Sequence, residues 1–489
     1  MRLSALSSAV SLVAGGFALM NLSNAQAAER PPNIIFILAD DAGIGDFSAY
    51  GCRYGTTPNI DRLAAEGMKF TRAYSGNAVC APSRCVLMTG LHPGHELVRA
   101  NRPEIGGDAD NRLALPAGQI TVARLLHEAG YATGGFGKWG LGNPGSTGVP
   151  EKEGFDVFYG YYDQAHAHDY YTDHLIRNSV NVPVPQNGEH IWANYSHTRI
   201  ANETLKFIEQ NKDHPFFCYA AWTPPHADYT IPDTAPYTDR SWPAIDKNYA
   251  AMVGLVDKDV GRVMQKLKEL DLDDKTLVIF ASDNGANEEF IPLGSTGGLR
   301  GYKRLLYEGG IRAPFIVRWP GHIKPGTTSD LLTTFVDFLP TAADLCEVPA
   351  PKGIDGISIL PTLLGQKQTA RHASLYFEIY EPYFQQAVRW GDWKGYRLGT
   401  KAPLELYNLK VDPTEAHDVA EAYPDIVKKI EAILAAEHIP SPHFNTPEHV
   451  GGVSPHFNGA GPTGGDNAET KNGKLSLDEM LNEESAAPR

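Results

Sequence analysis

Four stretches of this chain end in residue types that do chemistry. NIIFILA (33–39) runs into Asp40-Asp41, and TLVIFAS (276–282) runs into Asp283-Asn284. GGFG (134–137) runs into Lys138, and PFFCYAAW (215–222) runs into TPPH, ending at His226. Asp40, Asp41, Asp283 and Asn284 make an all-oxygen donor set, which suits a hard divalent cation, Ca²⁺ or Mg²⁺. Zinc fits less well, because no histidine stands at ligand spacing to these acids. Taken singly, an Asp after a strand is a turn residue or a helix cap. The weight comes from four such ends together. A fifth stretch, CAPSRCVLMTG (80–90), sets Cys80 beside Pro82, Ser83 and Arg84. Pro82 suits the opening of a helix, which puts Cys80 at or just before a helix N-terminus. Free N–H groups and the helix dipole favour an anion there, and Arg84 adds a cation. A thiol in that setting is expected to be reactive. A bridge to Cys85 is the competing use.

These groups need elements to position them. The apolar runs at 33–39, 132–137, 215–222 and 276–282 read as buried parallel strands. Helices alternate with them. TPNIDRLAAEG (57–67) has Thr57 as N-cap, Pro58 at the first helical position and Gly67 as a stop. Residues 248–270 place Val253, Val256, Val260, Val263, Leu267 and Leu270 on one stripe. The alternation predicts an α/β fold with a large, mainly parallel central sheet. In such sheets ligands bind beyond the carboxyl ends of the strands, where the polar groups fall. After residue 366 shorter strands and a helix at 424–437 predict a small C-terminal α+β domain over 367–440. Residues 441–489, rich in Gly, Asn, Pro and Glu, read as an extended or disordered tail.

The chain of 489 residues has a formal net charge of −15, which argues against nucleic acid or anionic membrane as a partner. Arg2, the apolar SLVAGGFALM and Ala25-Gln26-Ala27 read as a secretory signal peptide over 1–27, implying a secreted or periplasmic protein. No later segment is long and apolar enough to predict stable membrane insertion. Five cysteines leave at least one unpaired in an exported chain.

The motifs together resemble one family, the type I sulfatases of the alkaline phosphatase superfamily. Cys80-Ala81-Pro82-Ser83-Arg84 with Leu87, Thr89 and Gly90 is similar to the signature that a maturation enzyme reads when it converts the cysteine to formylglycine. ADDAGIGD (39–46), GYATGGFGKWGLG (130–142), PPHA (224–227), SDNGANEE (282–289) and LRGYKRLLYEGGIRAPFIVRWPG (299–321) extend the likeness. The resemblance implies an alkaline-phosphatase-like sandwich for residues 28–366. It implies a formylglycine gem-diol at position 80 as nucleophile, with a sulfated enzyme as intermediate. It implies Asp40, Asp41, position 80, Asp283 and Asn284 as ligands of a metal, Ca²⁺ rather than Mg²⁺. Arg84 would hold the formylglycine and the carboxylates. Lys138 and Lys303 would bind sulfate, and His226 would protonate the leaving alcohol. Many relatives read GKWHLG, with a histidine that assists the second step. Gly140 stands there instead, and His166 or His168 is the expected substitute.

Export and a wealth of aromatic residues predict a carbohydrate sulfate as substrate, the resemblance leaning toward galactose-type sugars. Tyr161, Tyr162, Tyr170, Tyr171 and Trp192 are rim candidates, joined by Glu378, Tyr380 and Tyr383 from the small domain. For any single aromatic a place in the core is the better expectation. Arg99 and Asn101, with His166 and His168, are candidate substrate contacts. The competing functions are a phosphonate or phosphate ester hydrolase of the same superfamily and a non-catalytic protein that binds sulfated glycans.

Overall fold

From Ile34 to Ala39 every side chain is apolar, so the run has to be covered on both faces. The computed structural model describes residues 30–108, 111–185 and 191–445. In it this run is β1 (Asn33–Ala39), buried at all seven positions. In chain order there follow β2 (Met68–Phe70), β3 (Ala73–Tyr74), β4 (Ala132–Lys138), β5 (Val157–Tyr161), β6 (His174–Arg177) and β7 (Val180–Pro183). Then come β8 (Phe216–Ala221), β9 (Thr276–Ser282), β10 (Phe315–Arg318), β11 (Thr327–Ser329) and β12 (Thr333–Thr334). Ten of these form one sheet in the order β11-β2-β10-β9-β1-β8-β4-β5-β6-β7. The five central strands from β9 to β5 are parallel, and antiparallel pairs flank them. The two-stranded sheet β3–β12 stands apart.

Alternation along β1 sends Ile34, Phe36 and Leu38 to one side and Ile35, Ile37 and Ala39 to the other. The first side is covered by α2 (Cys80–Thr89) and α3 (Val122–Glu128), the second by α1 (Pro58–Glu66), α4 (Ser196–Gln210) and α5 (Ala244–Glu269). The expected layered α/β sandwich is therefore present. The helix read at 248–270 begins earlier, at Ala244. Thr57 does precede α1, but its side chain does not cap the helix. Its hydroxyl instead accepts from the Ser48 amide at 2.9 Å.

β13 (Leu375–Ile379), β14 (Gln385–Trp390), β15 (Trp393–Leu398) and β16 (Glu405–Asn408) form a second, antiparallel sheet. The helix Pro424–Glu437 lays Ile430 and Leu434 on one face of it. The other face packs Phe377, Ile379 and Tyr396 against Ala78, Val79 and Tyr307. The small sheet thus backs the two residues that precede Cys80.

Residues 441–445, expected to open the tail, are packed against the rest of the protein. Phe444 is buried against Tyr380, and the His443 carbonyl accepts from the amides of Glu104 and Ile105. Residues 446–489 of the expected tail, and residues 1–27, read from the sequence as a signal peptide, lie outside the described residues. Among the described residues no helix is long and apolar enough to cross a membrane.

Candidate active site

The carboxyl ends of β1, β4, β8 and β9 lie side by side in the sheet, so the residues just past them converge. Asp40, Asp41, Asp283 and Asn284 are fully or almost fully buried, as are Lys138, His226 and Lys303. The helix α2 brings Cys80 to them at its first residue, with Val79 as N-cap. Pro82 therefore sits inside the first turn instead of opening it. Asn101 closes the end of α2, its Oδ1 accepting from the Ala81 amide at 3.0 Å.

Each carboxylate is held in a fixed direction. Asp40 Oδ2 takes Arg84 Nη2 at 3.0 Å and Lys138 Nζ at 2.9 Å, and its Oδ1 faces Cys80 Sγ at 3.3 Å. Asp41 Oδ2 takes Lys303 Nζ at 2.7 Å, while its Oδ1 takes Asn284 Nδ2 at 2.8 Å. Asp283 Oδ2 takes both Nε and Nη2 of Arg84, at 3.1 and 2.8 Å. The third Arg84 nitrogen donates to the Lys138 carbonyl at 2.6 Å, so this planar fork spans two carboxylates and a strand end. The Ser83 hydroxyl donates to the Asp283 carbonyl. His226 Nδ1 lies 2.5 Å from the Ala227 carbonyl, which can only accept. That bond fixes the tautomer and turns Nε2 toward Asp41, at 3.6 Å.

The electrostatics follow from burial and these neighbours. Burial raises the pKa of Asp40, but Lys138 and Arg84 outweigh it and hold the carboxyl ionised. Asp41 is likewise held down by Lys303 against burial. Burial and the adjacent Asp40 push Asp283 up to about 7 against the pull of Arg84. Burial and Lys138 push His226 well below the usual imidazole range, so it is neutral at pH 7. Burial and Asp40 push the Cys80 thiol well above its usual range. This corrects the reactive thiol expected from the helix terminus. The site disfavours a thiolate, because a second negative charge beside Asp40 is expensive out of water.

The donor set fits a divalent cation. Three buried carboxylates meet in one pocket, and Asn284 Oδ1 is buried with no hydrogen-bond partner. An amide oxygen left so is costly unless a cation or donor faces it. Donor atoms of Asp40, Asp41, Cys80 and His226 all lie within 4.8 Å of one another. One further group, His92, His95 and Glu437, has ligand types close together. There His92 Nδ1 accepts from the Gly94 amide, which leaves the proton on Nε2 for Glu437, and a protonated nitrogen is no ligand.

Several expected contacts fall elsewhere. Arg99 is buried, and its guanidinium is spent on Glu378, on the carbonyls of Gly94 and Glu96, and on that of Ile439. Glu378 itself is fully buried and also holds Tyr376 and His438. Both are braces, not rim groups. Tyr161, Tyr162, Tyr170 and Tyr380 are buried too, the first three donating to Asp169, Glu151 and His226. Tyr171 and Tyr383 are half-buried, and Trp192 is exposed.

The two loop histidines separate. His166 Nε2 pairs with the Thr172 hydroxyl at 2.8 Å, so it braces its own loop. His168 packs edge-on against His226, ring centres 4.4 Å apart. Asn287 was not singled out, yet its Nδ2 donates to Asp41 at 3.2 Å and to Tyr229 at 2.6 Å. Its signal was in plain view, three residues past Asn284. All five cysteines are unpaired, so Cys80 is not bridged to Cys85.

Comparison with known proteins agrees with this geometry. The family profile described as "Sulfatase" matches residues 32–348, and "N-sulphoglucosamine sulphohydrolase, C-terminal" matches 300–438. The chain is 32% identical to Arylsulfatase A of Homo sapiens, across 85% of this chain and 89% of that protein. It is 30% identical to the N-acetylgalactosamine-6-O-sulfatase of Bacteroides thetaiotaomicron, across 87% and 96%. The crystal structure of Ps i-CgsB in complex with k-i-k-neocarrahexaose superposes with a TM-score of 0.75 at 28% identity, across 86% and 95%.

Proposed function

This chain belongs to the sulfatase family of sulfuric ester hydrolases, and on that premise we propose that it releases sulfate from a sulfated carbohydrate through a formylglycine made from Cys80. The observation that carries the reading is the setting of Cys80. It lies at the first turn of α2, against Asp40, in a buried pocket lined by Lys138, Lys303 and His226. Once residue 80 is the gem-diol, its oxygen takes the place of Cys80 Sγ.

Lys138 and Lys303 hold the sulfate oxygens and offset the charge that builds on them. One hydroxyl of residue 80 gives its proton to the Asp40 carboxylate that faces it and attacks sulfur as the bond to the ester oxygen breaks. His226 Nε2 gives the departing oxygen its proton. His226 is neutral before substrate arrives, and the anionic sulfate beside it favours the protonated form. The second hydroxyl then loses its proton, the S-bound oxygen leaves with sulfate, and the aldehyde returns. His168, against His226, is the group we assign to take that proton in place of a residue at 140. Asp40, Asp41, Asp283 and Asn284 would hold Ca²⁺, which supplies Lewis acidity at the nucleophile and the sulfate.

The carbohydrate class rests on the relatives. One is named for N-acetylgalactosamine 6-O-sulfate chemistry, and another structure holds a neocarrahexaose. A galactose-type sugar and export through residues 1–27 are part of the same proposal. The test is to produce the protein with a formylglycine-generating enzyme and weigh the tryptic peptide AYSGNAVCAPSR (73–84). The matured protein is then assayed on galactose and N-acetylgalactosamine sulfates beside the matching phosphates. Loss of sulfur at Cys80 with sulfate release is the expected result. A persistent thiol, or faster cleavage of the phosphates, overturns the reading.

A further inference from the structure

Gly140 adopts φ +80°, a conformation that disfavours side chains, and a Cβ built there would lie 1.9 Å from Gln164 Nε2. The glutamine thus fills the volume that a side chain at 140 would need. Gln164 is 5% exposed, and neither its Nε2 nor its Oε1 has a hydrogen-bond partner. A buried primary amide with both ends unmet is a costly arrangement unless something arrives to meet it.

Its surroundings say where that partner comes from. Gly140 lies two residues beyond Lys138, and the amides of Trp139 and Gly140 donate to the carbonyls of Tyr161 and Tyr162, so Gln164 stands beside the strand end that delivers the lysine. Four residues on from Gln164, the His168 ring rests on His226. The loop between is fixed. Asp163 Oδ1 accepts from the amides of Ala165 and His166, and its Oδ2 takes Arg112 Nε at 2.7 Å. Arg112 also reaches the carbonyl of Asn101, whose side chain closes the start of α2. Gln164 thus sits on a loop that is braced, through its neighbour Asp163, to the start of α2.

We propose that Gln164 is a substrate-binding residue, its Nε2–H donating to an oxygen of the sulfate group and its Oε1 facing the alcohol being released. This deepens the sulfatase reading and rests on it. Sulfate oxygens only accept, and the lysines supply charge without direction. A neutral amide on a fixed loop adds direction.

The experiment uses the protein made without maturation, which keeps Cys80 and does not turn over. Inorganic sulfate is titrated calorimetrically into the wild type, Gln164→Met and Gln164→Glu, in calcium. Methionine keeps the volume and removes the donor, and glutamate adds a charge that repels sulfate. The expected result is sulfate affinity weaker by about 10-fold to 100-fold in Gln164→Met, and weaker still in Gln164→Glu. Gly140→Ala is the second variant, should the others fail to fold. Its methyl group displaces the amide from the opposite side and should also weaken sulfate. Equal sulfate affinity in wild type and variants, even with altered melting temperatures, overturns the role of Gln164 and leaves the sulfatase reading standing. Failure of the wild type to bind sulfate overturns both.

Discussion

Divalent cations should stabilise this protein by an amount that Asn284 helps to set. The pocket holds three carboxylates and an amide oxygen with no partner, but three cations, Arg84, Lys138 and Lys303, already offset the acids. Binding therefore rests on the ligands' arrangement more than on surplus charge. A site with a dissociation constant a thousandfold below the added metal gains about 4 kcal/mol. For roughly 400 folded residues the unfolding entropy is about 0.8 kcal/mol per degree, so the melting temperature should rise by about 5 °C. Asn284→Ala removes one ligand. A tenfold to hundredfold loss of affinity would take back about 1.4–2.8 kcal/mol, or about 2–3 °C of that rise. The assay is a melt in EDTA and in millimolar Ca²⁺ or Mg²⁺, for wild type and variant. Only the metal-dependent increment is compared, because Asn284 also donates to Asp41 and Gly285. A wild-type melt that does not move between EDTA and calcium would refute the site. An equal increment in Asn284→Ala would remove Asn284 from it.

Two further outcomes are expected. His168→Ala should let sulfated enzyme accumulate, visible as the added mass of a sulfo group on intact protein, whereas His166→Ala should not; the reverse pattern would exchange their roles. Glu153 is buried, neither carboxylate oxygen has a hydrogen-bond partner, and burial pushes its pKa up to about 7 against the pull of Arg124, whose Nη2 lies 3.6 Å from Oε2. Its charged form is disfavoured in the fold, so its own contribution to stability should fall as pH rises from about 4.5 through 7, by at most about 3 kcal/mol and less where solvent screens it. Glu153→Gln should gain on the wild type in melts at pH 8 relative to pH 5, and an identical difference at both would discard the argument.

The parts that sequence made legible are those governed by local rules. β1 and β9 were read to the residue, because an unbroken apolar run followed by acids has one good solution in an α/β sheet. The order of the flanking strands was not readable, since β2, β10 and β11 are short and their pairings join residues near 68 to residues near 316 and 328. The same holds within the site. Asp40, Asp283 and Lys138 announce themselves at strand ends. Nothing in DQAHAHDYY says which histidine turns inward, because Thr172 captures His166 only after the loop closes. Arg99 read as a substrate contact since its partners come from residues 94, 96, 378 and 439, two of them far along the chain. Gly140 stood out as a departure, but the glutamine that fills its place becomes visible only in three dimensions.

The burial of Cys80 imposes a schedule on biosynthesis. In the folded protein the CAPSR segment is helical and at most 2% exposed at Cys80, Ala81 and Arg84, so no other enzyme can grip it as an extended peptide. Any conversion of residue 80 has to happen while the chain is still open. Arg84 cannot lock onto Asp283 until 199 more residues have followed it. At ordinary rates of synthesis that is a delay of about 10 to 40 s. Pairing across such separations is intrinsically slow, which lengthens the interval further. A modification of residue 80 would therefore race against folding, and the sheet order, with β9 arriving late beside β1, would give it a head start.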